Sequence, residues 1–229
     1  MAKLRVDKIA SVGVSTETTG SVFFDGTGDY LSVPQSTDFV FGTGDFTIEC
    51  WIYPNTISGY RQIAGHTFGS NDMSVYLKDG VLILYTDGDI TFGTGTVSAN
   101  SWTHIAVTRQ NGVVYGYYNG VVNGSTSFTT SLNGASNYIV GINPDLSSEP
   151  FLGFMSNLRI CKGHAVYTSN FAVPTRELDV HPETVLLCCY DGENIFADKT
   201  GRHNIAAIGD RLSSPTPTAT DSPIGITTF

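Results

Sequence analysis

Two dipeptides constrain this chain more than any other feature. Asp79-Gly80 and Asn119-Gly120 are each flanked by short runs of β-branched and aromatic residues. A two-residue type I′ turn needs positive φ at both central positions, which Asn, Asp and Gly tolerate, so both sites predict β-hairpins. The first joins Ser74–Lys78 to Val81–Tyr85, and the second joins Val113–Tyr118 to a strand opening at Val121-Val122. Elsewhere Phe46, Ile48, Cys50 and Ile52 alternate with Thr47, Glu49, Trp51 and Tyr53, the period of a half-buried strand, ended by Pro54-Asn55. Further strands are expected over 102–109, 138–142, 154–161 and 185–190. No stretch sustains a 3.6-residue period. The pattern is that of an all-β, two-sheet antiparallel sandwich.

Length and charge narrow the remaining choices. A chain of 229 residues can bury a full core without a metal or disulfide staple. The balance of 12 Lys+Arg against 21 Asp+Glu gives a net charge of −9, which repels phosphate backbones, so no nucleic-acid partner is expected. No apolar run approaches the roughly 18 residues of a membrane span. The first 14 residues hold no apolar stretch of a secretory leader, so Cys50, Cys161, Cys188 and Cys189 are expected as reduced, buried thiols. Zinc is the sharper alternative, but no paired C-x-x-C spacing is present. On a strand, the adjacent Cys188 and Cys189 would point to opposite faces.

The chain divides into an N-terminal arm (1–19), one sandwich (20–211) and an extended Pro/Ser/Thr-rich tail (212–229). Arm and tail are expected to dock onto neighbouring chains. The low charged content, 14%, suits a surface largely covered by neighbours.

Three stretches together resemble the laminin-G-like, concanavalin A-like jelly-roll family. They are Phe24-Asp25-Gly26-Thr27-Gly28-Asp29-Tyr30-Leu31 with Phe41 to Ile52; Ser101-Trp102-Thr103-His104 to Arg109 with Tyr117-Tyr118-Asn119-Gly120; and Gly153-Phe154-Met155-Ser156-Asn157-Leu158-Arg159-Ile160 running on to Phe171. The resemblance spans roughly residues 20–175, and the third stretch is similar to versions in tailed-bacteriophage virion proteins and bacterial surface proteins. The family's usual opening strand finds its match at the other end, in Val185-Leu186-Leu187-Cys188-Cys189-Tyr190-Asp191-Gly192 followed by Asp198-Lys199-Thr200-Gly201. Residues 185–201 therefore read as a displaced opening strand and turn of a circularly permuted sandwich, in preference to a truncated second unit.

What the resemblance implies is a non-enzymatic virion structural protein, either a capsid decoration or accessory protein or a short fibre or tail-tip subunit. It would sit on the particle surface in a homo-oligomer or larger assembly, contacting other virion proteins or copies of itself through the arm and tail, with host surface glycans as a further candidate partner. A carbohydrate-binding adhesion module is the alternative, and a divergent glycosidase the third reading. The last is disfavoured because no glutamate has a second carboxylate two or four residues away on a strand, and glycosidic cleavage needs two. His104 alternates with Trp102 and Ala106 and reads as a packed histidine. No catalytic residue is assigned. Calcium is the one cofactor considered, with Asp25 and Asp29 around a Gly-Thr-Gly turn as candidates, although both also suit an ordinary turn. For a glycan, Tyr60, Arg61, His66, Asn71 and Asp72 are the candidates, taken as one loop.

Overall fold

The computed structural model describes residues 20–66, 71–134, 136–191 and 194–209. The arm 1–19 and tail 212–229 lie outside the described residues. In chain order the strands are β1 (Val22–Asp25), β2 (Tyr30–Val33), β3 (Phe46–Pro54), β4 (Tyr60–Gly65), β5 (Ser74–Lys78), β6 (Val81–Tyr85), β7 (Asp89–Thr91), β8 (Thr103–Gln110), β9 (Val113–Tyr118), β10 (Val121–Ser127), β11 (Tyr138–Val140), β12 (Leu152–Lys162), β13 (Thr184–Cys188) and β14 (Ala206–Ile208). They form two seven-stranded antiparallel sheets. The first has the order β1-β12-β3-β8-β9-β10 with β13 also on β12, and the second β14-β2-β11-β4-β5-β6-β7. This is the all-β sandwich that the alternation foretold, in the jelly-roll form that the resemblance implied.

Both hairpin turns form as expected. Asp79 and Gly80 have φ of 50° and 82°, and Asn119 and Gly120 have 46° and 77°. The inner face of the first sheet sends Phe46, Ile48, Cys50 and Ile52 into the core, where Val75, Leu77, Leu82 and Leu84 of the second sheet meet them. Each such side chain, fully buried, contributes roughly 1.5–3 kcal/mol.

Two features complete the first sheet. β1 pairs with β12 from Val22↔Met155 to Asp25↔Leu152, while β13 pairs with it from Leu158↔Cys188 to Cys161↔Thr184. β3 occupies the other edge of β12, so β13 and β1 lie end to end on one edge, in one direction. The Gly20 amide donates to the Tyr190 carbonyl across the junction at 2.7 Å. The second feature is a strap, residues 163–183, that crosses the sheet's outer face. Thr47 Oγ1 donates to the His164 carbonyl (3.0 Å) and accepts from the Val166 amide (2.8 Å). The expected exposed side of β3 is therefore covered, and Thr47 and Glu49 are both buried.

Cys188 and Cys189 do not face opposite ways. Cys189 has a φ of 60°, which ends the strand and turns its sulfur to within 3.8 Å of Cys188 Sγ, both in the core. All four cysteines are free and buried.

Candidate functional site

The five residues proposed for a glycan from sequence do not form one loop. Tyr60 and Arg61 open β4, and His66 follows its far end, roughly 16 Å along the strand. Packing of Ile63 and Ala64 into the core makes this segment a strand. His66 is buried against Phe39 and Tyr138, with Nδ1 3.1 Å from the Ser136 carbonyl. Burial lowers its pKa below that of a free histidine. Arg61 reaches the Pro150 carbonyl (3.2 Å). Asn71 sits at a φ of 66° with its amide on the Asp87 carboxylate, and Asp72 beside it is buried. Of the five, Tyr60 borders an open groove.

That groove lies on the outer face of the second sheet. With Val75, Leu77, Leu82 and Leu84 turned to the core, the alternate residues Tyr76, Lys78 and Tyr85 stand on the other face. Register places Lys78 opposite Tyr60, Tyr76 opposite Gln62, and Asp89 opposite Tyr85. The Tyr60 and Tyr76 rings are 5.7 Å apart and tilted by 55°, and Lys78 Nζ lies 5.1 Å over the Tyr60 ring. Asp89 accepts from the Tyr76 hydroxyl and, at 3.1 Å, from Lys78 Nζ. Burial, and then the bond to Asp89, push the Tyr76 phenol well above its ordinary pKa.

Glu149 enters from the loop between β11 and β12. Its backbone is left-handed (φ 55°), its carbonyl accepts from the Gln62 amide (3.0 Å), and its Oε2 accepts from Asn143 Nδ2 (2.9 Å). Tyr60, Tyr76, Tyr85, Asp89 and Glu149 line a depression of about 240 Å³. Between Tyr60 and Tyr76 the Gln62 side chain is fully buried, and neither carboxamide atom has a hydrogen-bond partner among the described residues. A second depression, of about 410 Å³, lies on the same face, with Ser32 and Ile139 in its floor and Pro144 and Leu146 of the same loop in its wall.

Tyr76 and Tyr85 were not among the expected site residues, though they were legible as one face of the Asp79-Gly80 hairpin. Asp89 and Glu149 were not, because a three-residue strand and an irregular loop bring them there.

The other candidates resolve differently. Both oxygens of the Asp25 carboxylate accept from Thr27, from its amide and its hydroxyl, each at 2.7 Å, and Asp29 Oδ2 accepts from the Asp25 amide at 3.1 Å. Among the described residues no group of three or more His, Cys, Asp or Glu side chains is placed to hold a metal ion. His104 is packed beneath the strap and donates through Nε2 to Glu49 (3.2 Å), which also accepts from Arg159 Nε (2.9 Å) and the Tyr167 hydroxyl (2.7 Å). Burial alone would raise the Glu49 carboxyl, but the His104 bond and the Arg159 charge hold it below the usual range. This carboxylate is sealed from any substrate.

Residues 25–165, more than half of the chain, match the family described as the concanavalin A-like lectin/glucanases superfamily, and the chain belongs to it. Among solved structures it is similar to an inferred carbohydrate-binding protein of Bacteroides ovatus, with 19% identity and a TM-score of 0.62 over 84% of this chain. The match takes in 59% of that protein's length. A heptameric SAP-like pentraxin of Limulus polyphemus is also similar, with 17% identity and a TM-score of 0.50, covering 62% of this chain and 75% of the pentraxin. At such identities the likeness is one of fold. Comparison with curated proteins found no match.

Proposed function

We propose that this chain is a non-enzymatic carbohydrate-binding module whose ligand sits in the groove of Tyr60, Tyr76, Tyr85, Asp89 and Glu149. One observation carries the reading: the partly exposed rings of Tyr60 and Tyr85, the largely buried Tyr76 between their strands and two carboxylates converge on a single depression of the outer sheet face. Aromatic faces stack on the C–H face of a sugar ring, while a few fixed polar groups orient its hydroxyls. Membership of a lectin and glucanase superfamily supports the reading by analogy of fold. The non-enzymatic part is carried over from the sequence, and is supported by the engagement of each carboxylate: Asp89 by Tyr76 and Lys78, Glu149 by Asn143, and Glu49 in an ion pair under the strap.

The finer placement, as a structural subunit on a tailed-phage particle, is supported by the resemblance of the stretch from Gly153 to Phe171 to phage virion proteins. Adhesion to a cell-surface glycan at the particle's exterior would join the two roles.

Glycan-array binding, with and without calcium, tests the module. Saturable binding that Tyr60→Ala abolishes is expected, with no turnover of any β-glucan. Binding indifferent to Tyr60→Ala would sink the groove assignment. Dependence on calcium would bring Asp25 and Asp29 back, and absence of the chain from purified particles would remove the virion role.

A further inference from the structure

Resting on the glycan reading, we infer that the groove selects uncharged sugars and rejects sialylated, uronic or sulfated ones. Its hydrogen-bonding equipment is mostly acceptor. Asp89 and Glu149 present carboxylates, and the Tyr76 hydroxyl already donates its hydrogen bond to Asp89. Groups of that kind need a ligand rich in donors, as a run of sugar hydroxyls is. No cation lines the depression among the described residues; Lys78 stands beside it over the Tyr60 ring, and Asp89 already holds it at 3.1 Å. Two carboxylates against one paired cation leave the depression net negative. An anionic sugar would have to break the Lys78–Asp89 pair or lie beside unpaired like charge.

The surroundings offer no relief. Arg61, the nearest arginine along β4, points its guanidinium to the Pro150 carbonyl. The neighbouring depression, where a second sugar of a chain would extend, is lined by no charged side chain among the described residues.

The test titrates the full chain with matched pairs of oligosaccharides, one neutral and one carrying a sialic acid, uronic acid or sulfate on the same core. Wild type, Tyr60→Ala and the double variant Asp89→Asn, Glu149→Gln are compared by calorimetry at low and physiological salt. The expected result is at least tenfold tighter binding of the neutral member, a gap that narrows in the double variant and at higher salt. If the acidic member binds as tightly and Tyr60→Ala abolishes it, the charge selection is wrong and the glycan groove stands. Preference for a cationic amino sugar over its neutral parent would also overturn the selection. If no member binds, or Tyr60→Ala changes nothing while its circular dichroism is that of wild type, the groove itself is wrong.

Discussion

Glu49 and Arg159 stand directly opposite each other on β3 and β12, and the guanidinium closes on one carboxylate oxygen through Nη2 at 2.5 Å and Nε at 2.9 Å. Neither group is open to water. The strap adds the Tyr167 hydroxyl to the same carboxylate, and the Asp179 carbonyl accepts from Arg159 Nη1 (3.1 Å). The pair therefore pins the strap to the sheet.

Truncating one partner leaves the other buried and unpaired, which costs about 3–5 kcal/mol. Glu49→Ala is expected to lower the urea midpoint accordingly, without a change in slope. Glu49→Leu with Arg159→Met, which removes both charges, should recover more than half of that loss. A double variant as unstable as the single one would show that the pair is worth more than its desolvation.

Acid should weaken the fold in two stages. His66 has a lowered folded pKa, so the unfolded chain binds its proton first. Its stabilising contribution is complete above the free value of about 6.5 and falls as the pH drops below it. Glu49, also lowered, contributes fully above the free carboxylate value of about 4.3 and is lost as the pH falls through its folded value. Urea midpoints measured from pH 8 to pH 3 should fall in both windows. His66→Gln should remove the upper stage only.

Arg109 lies fully buried, its guanidinium 5.1 Å from the Phe46 ring centroid and 5.7 Å from that of Phe128, and donates to the carbonyls of Gly42, Gly44 and Thr130. Lysine cannot reproduce that planar fork. Arg109→Lys is expected to cost about 2–3 kcal/mol, an unsatisfied carbonyl or two, and to sensitise residues 42–45 to protease. Equal resistance of the two proteins would refute the bracing role.

The four buried thiols should be inert in the native state. Burial pushes the Cys50 and Cys161 thiols above their ordinary pKa. N-ethylmaleimide is expected to label none of them under native conditions and all four in urea, counted by intact mass. Rapid native labelling of Cys188 or Cys189 would mean that the end of β13 opens readily.

Tyr76→Phe separates stacking from hydrogen bonding in the groove. The ring stays against Tyr60, while Asp89 loses a donor. Sugar affinity is expected to fall severalfold and thermal stability by about 1 kcal/mol. An unchanged affinity would place the ligand away from Asp89.

The sheets were legible because period-two alternation and Asn-Gly or Asp-Gly turns are local signals. Phe46 to Tyr53 and the residues around Asp79-Gly80 declare their faces without reference to the rest of the chain. The strap was not legible, since residues 163–183 carry no periodicity, and its covering of Glu49 exists only in three dimensions. The groove fell between. Tyr60 was found, but the expected loop hid the strand that carries it. Glu149 arrives from 89 positions further along the sequence, a distance that no spacing rule spans. Cys189 was misread because its positive φ breaks the alternation on which the expectation relied.

The shared edge of β12 has a consequence for synthesis. A chain emerging from the ribosome delivers β1 first, yet its partner residues 152–155 come about 130 positions later, and β13 comes later still. β2 must likewise wait for β11 and then β14. The first sheet cannot be completed until residue 188 has emerged, nor the second until residue 208 has, so this protein should close late, from its last strands inward, with slow, non-local folding kinetics.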